Sequence, residues 1–157
     1  MGSCWETLAS GTSLAFVGDE FCAIQEDSVD KEIKILIAER NRNVRNLLQR
    51  ELFEEGYQVI LAGEDRELLR LLHDEHTADL LILDPDLPSS LSISELITLL
   101  HGSKPGLPIV IYTFLHDGLN YWNMPGVATC LEKEEDITSL KKVITELVGR
   151  THLKRLS

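Results

Sequence analysis

The chain predicts an α/β fold, a doubly wound, five-stranded parallel sheet with helices on both faces. Three observations carry this expectation. Runs such as "IKILIA", "ADLLILD" and "LPIVIYT" are apolar throughout, as strands buried on both faces are. The stretches between them carry leucines and valines at helical spacing. Strand and helix patterns alternate from about residue 34 onward, and right-handed crossovers convert that order into an open sheet covered on both sides.

Each element has its own signal. "IKILIA" is the first strand, rich in β-branched residues. "NVRNLLQRELFEEG" follows as a helix with Val44, Leu47, Leu48 and Leu52 on one face and Gly56 as its stop. "YQVILA" is the second strand, and "DRELLRLLHDE" the second helix, with Leu68, Leu69, Leu71 and Leu72. "ADLLILD", "SISELITLLHG" and "LPIVIYT" continue the pattern. Between Phe114 and Gly126 the chain holds Gly118, Asn120, Asn123, Pro125 and Gly126, too many breakers for more than one or two helical turns. Tyr121 and Trp122 in that segment read either as core anchors or as exposed contact residues. "VATCLE" is the fifth strand, and "DITSLKKVITELVGR" closes with Ile137, Leu140, Val143, Ile144 and Leu147 at helical spacing.

These elements place one domain over residues 31–150, with 151–157 as a short tail. Residues 1–30 stand apart. "TSLAFVGDEFCAIQ" reads as a hairpin turning at Gly18-Asp19 or as a disordered extension, and as a dimerisation or docking element or a mobile tail.

Composition bounds the function. Of 157 residues, 43% are hydrophobic and 26% charged, the balance of an ordinary globular domain. No apolar run reaches the length of a membrane span, and no basic and apolar leader precedes the domain, so cytoplasm is the default expectation. A net charge of −11 opposes nonspecific binding to a phosphate backbone and favours proteins or small ligands as partners. Cys4, Cys22 and Cys130 fit no metal or CxxC spacing and read as reduced thiols. The histidines (His73, His76, His101, His116 and His152) form no metal-binding motif.

In a parallel sheet of this kind, chemistry gathers at the carboxyl ends of the strands. The residues there are Glu39 and Arg40, Asp84, Thr113 and Lys133. Asp84 follows the apolar run of "LLILDPDLP", where an acid is costly unless something uses it. Thr113 alone is an ordinary strand residue and Lys133 alone an ordinary solvated charge. Their joint occurrence with Asp84 is what packing does not require.

With Asp84, Thr113 and Lys133 after successive strands and Pro88 four residues beyond Asp84, the chain resembles the receiver domain of bacterial response regulators over roughly residues 32–149. The resemblance implies flavodoxin-like topology and a stand-alone receiver of a two-component phosphorelay. Asp84 would accept a phosphoryl group from a histidine kinase or phosphotransfer protein. Lys133 would supply a compact cation, and the Thr113 hydroxyl a hydrogen bond to the phosphoryl group. Mg²⁺ would be held by Glu39, Asp84 and the backbone carbonyl of Asp86. Output would pass to a downstream protein effector, with Tyr121, Trp122 and the helix from Ile137 as the contact face. A homodimer, no direct nucleic-acid or membrane contact, and no enzymatic activity of its own complete the expectation.

The chain departs from the family pattern at named positions. Arg40 stands where the family has a second acid, and a guanidinium cannot ligate a cation. Phe114 replaces a small residue after Thr113, placing a ring near the phosphoryl path. Cys130 occupies the aromatic switch position, and Glu134 replaces the proline after the lysine. The loop from Thr113 to Lys133 is short, and "SSLSIS" replaces a glycine-containing turn after Pro88. These departures keep a second reading open, a pseudo-receiver that binds proteins without phosphorylation, with Arg40 paired to Asp84. A flavodoxin-like ligand binder or enzyme is the third; it lacks a glycine-rich loop after the first strand and a Ser-His or Cys-His pair.

Overall fold

The computed structural model describes residues 32–74, 78–114, 121–134 and 136–156. The readings made on residues 1–30, on Cys4 and Cys22, and on His76 and His116 lie outside them. The elements are β1 (Lys34–Ala38), α1 (Arg42–Glu54), β2 (Gln58–Ala62), α2 (Asp65–Leu72), β3 (Leu80–Leu83), α3 (Ile93–Ser103), β4 (Ile109–Thr113), a 3₁₀ turn (Tyr121–Asn123), β5 (Val127–Glu132) and α4 (Thr138–Leu156).

All five strands are parallel, in the order β2-β1-β3-β4-β5. β3 is the middle strand, and β1 lies between it and the edge strand β2, pairing Leu36 with Ile60 on one side and with Leu81 on the other. The β4–β5 register slips once: Ile109 faces Val127 but Val110 faces Thr129, so Ala128 bulges.

Strand periodicity divides the core in two. Ile35, Ile37, Leu80, Ile82, Val110 and Tyr112 face α1 and α4, packing on Leu48, Leu52, Ile137, Leu140 and Ile144. Leu36, Ala38, Leu81, Leu83, Ile109 and Ile111 face the other way, toward Leu68 and Leu72 of α2 and Leu96, Ile97 and Leu100 of α3. Tyr121 and Cys130 join this second layer. Continuous burial of both faces is what the unbroken apolar runs required.

Helix boundaries have local causes. Asn41 caps α1, its side chain accepting from the backbone N–H groups of Asn43 and Val44. At the other end Gly56 has a φ of +95°, and the N–H groups of Gly56 and Tyr57 donate to the carbonyls of Phe53 and Leu52. That reversed pair of bonds is a Schellman motif, so the expected glycine stop is met. Ser92 and Glu95 form a reciprocal capping box at the start of α3, drawn from the "SSLSIS" stretch. The same stretch ties back to α2: buried Asp65 accepts from the Ser89 hydroxyl and the Ser90 N–H.

Two expectations need adjustment. The last helix does not end near Arg150 with a tail beyond it. It runs to Leu156, because "THLKRL" holds no proline, and Gly149 alone costs a helix only about 1 kcal/mol. Tyr121 and Trp122 also divide between the two roles proposed for them. Tyr121 is buried in the α2–α3 layer and Trp122 is 57% exposed. Among the described residues, no helix is long and apolar enough to cross a membrane.

Candidate functional site

β1 and β3 are neighbours whose following helices leave on opposite faces of the sheet, so a crevice opens above their carboxyl ends. Glu39 and Arg40 leave β1 on one side of it, and Asp84 leaves β3 on the other. Backbone bonds tie each loop to the neighbouring strand: the Asp84 N–H donates to the Ala38 carbonyl of β1, and the Glu39 N–H to the Ala62 carbonyl of β2. Lys133 is carried in beside Thr113, its N–H donating to the Thr113 carbonyl at 2.6 Å.

Glu39, Asp84, Thr113 and Lys133 are all buried, at 1%, 2%, 4% and 9% exposure. Ionisable groups buried this deeply must be paired. The Lys133 ammonium lies 2.6 Å from Glu39 Oε2 and 3.5 Å from Asp84 Oδ2. Its shorter contact is therefore to Glu39, not to the acid that the motif singles out. The other Glu39 oxygen accepts the Asn41 N–H at 2.9 Å. Burial pushes the Glu39 carboxyl above the usual carboxylate range, and the Asp84 charge adds to this, against the Lys133 and Asn41 hydrogen bonds.

Asp84 is engaged at both oxygens. Oδ1 accepts the Asp86 N–H at 2.9 Å, while Oδ2 faces Lys133 and the Arg40 N–H at 3.4 Å. The Arg40 guanidinium reaches over the mouth, with Nε 3.7 Å from Asp84 Oδ2 and Nη2 3.6 Å from Asp86 Oδ2. Half of this side chain is exposed, as is most of Asp86. Phe114 is 54% exposed, and its ring centre lies 4.9 Å from the Lys133 ammonium, so the ring covers the lysine.

Two contributors escaped the sequence reading. Arg45 of α1 donates through Nη1 to the carbonyls of both Glu39 and Arg40, clamping the loop that carries them. Gly63 makes room for it: a Cβ there would lie 3.1 Å from Arg45 Nη1. The first has a weak signal in "NRNVRN", an arginine one turn inside a helix that begins at a functional loop. The second has none until β2 is laid beside β1.

Tested against the Mg²⁺ that the family resemblance implies, the residues do not fit as they stand. Glu39 is bound to Lys133 and Asn41, and the space between Asp84 and Asp86 holds a guanidinium. Among the described residues, no group of three or more His, Cys, Asp or Glu side chains is placed to hold a metal ion.

Comparison with known proteins agrees with this architecture. The family model described as response regulator receiver domain matches residues 35–145. The probable transcriptional regulator ycf27 of Galdieria sulphuraria is 37% identical over 62 residues, 40% of this chain and 24% of that protein. The chain thus matches about a quarter of that relative's length. The response regulator TrrA of Thermotoga maritima, solved with Mg²⁺ and BeF, is 27% identical, covers 73% of this chain and 98% of its own, and superposes with a TM-score of 0.64. A CheY-like receiver domain protein from Methanospirillum hungatei shares the fold at 22% identity and a TM-score of 0.71, over 79% of this chain and 99% of its own. The sheet order, the acid, hydroxyl and lysine gathered at its carboxyl edge, and the family match over most of the domain place this chain in the response regulator receiver domain family.

Proposed function

We propose that the chain works as a signalling receiver that accepts a phosphoryl group on Asp84 and passes the change to an effector protein, with no enzymatic turnover of its own. One observation carries this reading: Asp84, Thr113 and Lys133, from three different strand ends, are buried together, with the lysine 3.5 Å from the aspartate. An Asp84 oxygen would form the P–O bond as the P–N bond of a phosphohistidine breaks, leaving its electron pair on the imidazole. Lys133 and Arg40 would balance the added negative charge. Histidine kinases or phosphotransfer proteins are the donors that fit this chemistry.

A second reading has its own observation. Asp84 is 2% exposed beneath Arg40, which favours a phosphorylation-independent interaction module. Acetyl phosphate separates the two. Intact-mass measurement, with and without Mg²⁺, should show one phosphoryl adduct on the wild type and none on Asp84→Asn. An unlabelled wild type under both conditions would leave only the second reading.

A further inference from the structure

We propose that Arg40 is the resident cation of this pocket, standing in the place of a divalent metal, and that the pocket does not take Mg²⁺ while that side chain is present. This rests on the receiver reading above and specifies how the same site is charged.

The geometry is that of a bridging cation. One guanidinium spans the carboxylates of Asp84 and Asp86, at 3.7 and 3.6 Å. The Arg40 N–H points at the same Asp84 oxygen, so side chain and backbone address one atom together. The loop is held in that position from behind. Arg45 donates to the carbonyls of Glu39 and Arg40, those of the two peptides that flank the Arg40 Cα, and its guanidinium sits against Gly63. Asn41 then caps α1 directly after Arg40.

Charge gives the same answer. Glu39, Asp84 and Asp86 with Lys133 alone would sum to −2, which a divalent ion neutralises. Arg40 brings the sum to −1. Mg²⁺ entering beside it would leave the site positive and set an ion against a guanidinium at contact distance. Arginine suits this post because it stays ionised and reaches two carboxylates at once.

The test is direct titration with Mg²⁺ and Mn²⁺, read by calorimetry and by Mn²⁺ broadening of the amide resonances of Glu39, Asp84 and Asp86. Neither readout needs phosphorylation. The wild type should show no saturable site at millimolar metal. Arg40→Asp should bind at least about a hundredfold more tightly, because the substitution changes the adjacent charge by two. Arg40→Ala should fall between them and guards against a misfolded aspartate variant, checked by thermal melting. Saturable wild-type binding equal to that of Arg40→Asp, with broadening centred on Asp84, would overturn the inference. So would two folded variants as indifferent to metal as the wild type. If acetyl phosphate labels neither the wild type nor Arg40→Asp, the phosphoacceptor reading fails by itself, and the titration still decides the role of Arg40.

Discussion

Replacing Lys133 with methionine removes the ammonium that meets both Glu39 and Asp84, and the structure sets the size of the effect. At 2.6 Å from Glu39 and an effective dielectric near 20, the attraction is on the order of 6 kcal/mol before desolvation, and at 3.5 Å from Asp84 about 5 kcal/mol. Desolvation cancels much of both terms. What survives in the variant is the cost of stranding Glu39, whose side chain is 2% exposed, without its cation. Breaking a buried pair from one side costs about 3–5 kcal/mol. Urea unfolding at pH 7, followed by circular dichroism, should show that loss in Lys133→Met. Removing the stranded charge as well, in Lys133→Met/Glu39→Gln, should restore at least half of it, because neutral groups of similar shape need no counter-charge. The single variant should also recover at low pH, where Glu39 protonates. A loss below about 1 kcal/mol, or a double variant no better than the single, would refute the claim that this pair is buried and mutually dependent.

Two further outcomes follow from the same packing. Because burial raises the Glu39 carboxyl, its contribution is fully present below the ordinary value of 4.5 and is lost as pH rises through the higher folded value. Glu39→Gln should therefore gain stability relative to the wild type as pH climbs through that window; a difference flat from pH 4 to 8 would contradict the raised carboxyl. Tyr121→Ala should cost about 3 kcal/mol by opening a cavity in the α2–α3 layer, and Trp122→Ala no more than about 0.5 kcal/mol. Equal losses in thermal melts would reject the division of roles between these neighbouring aromatics.

The fold was legible in the sequence because its determinants are local. Apolar runs of four to six residues have no soluble fate except burial on both faces, and leucines at helical spacing need a sheet to cover. Gly56 could be read as a stop because only glycine takes a φ of +95° without cost. Glu39, Arg40, Asp84, Thr113 and Lys133 could be gathered as one set because parallel topology sends every strand end to the same edge. That argument brings residues to an edge without saying which of them touch.

Touching was decided by tertiary structure. Strand order and twist put Lys133 nearer Glu39 than Asp84, a difference of 0.9 Å between contacts of 2.6 and 3.5 Å that no spacing along the chain encodes. The placement of β2 beside β1 set Gly63 under Arg45, and so fixed the loop that holds Arg40. The return of the β3–α3 loop toward α2 gave Asp65 its serine partners. In the sequence Arg40 was a substitution in a metal-binding position. In the fold it is a guanidinium between two carboxylates, because electrostatic partners are chosen by distance in space and by the water excluded around them.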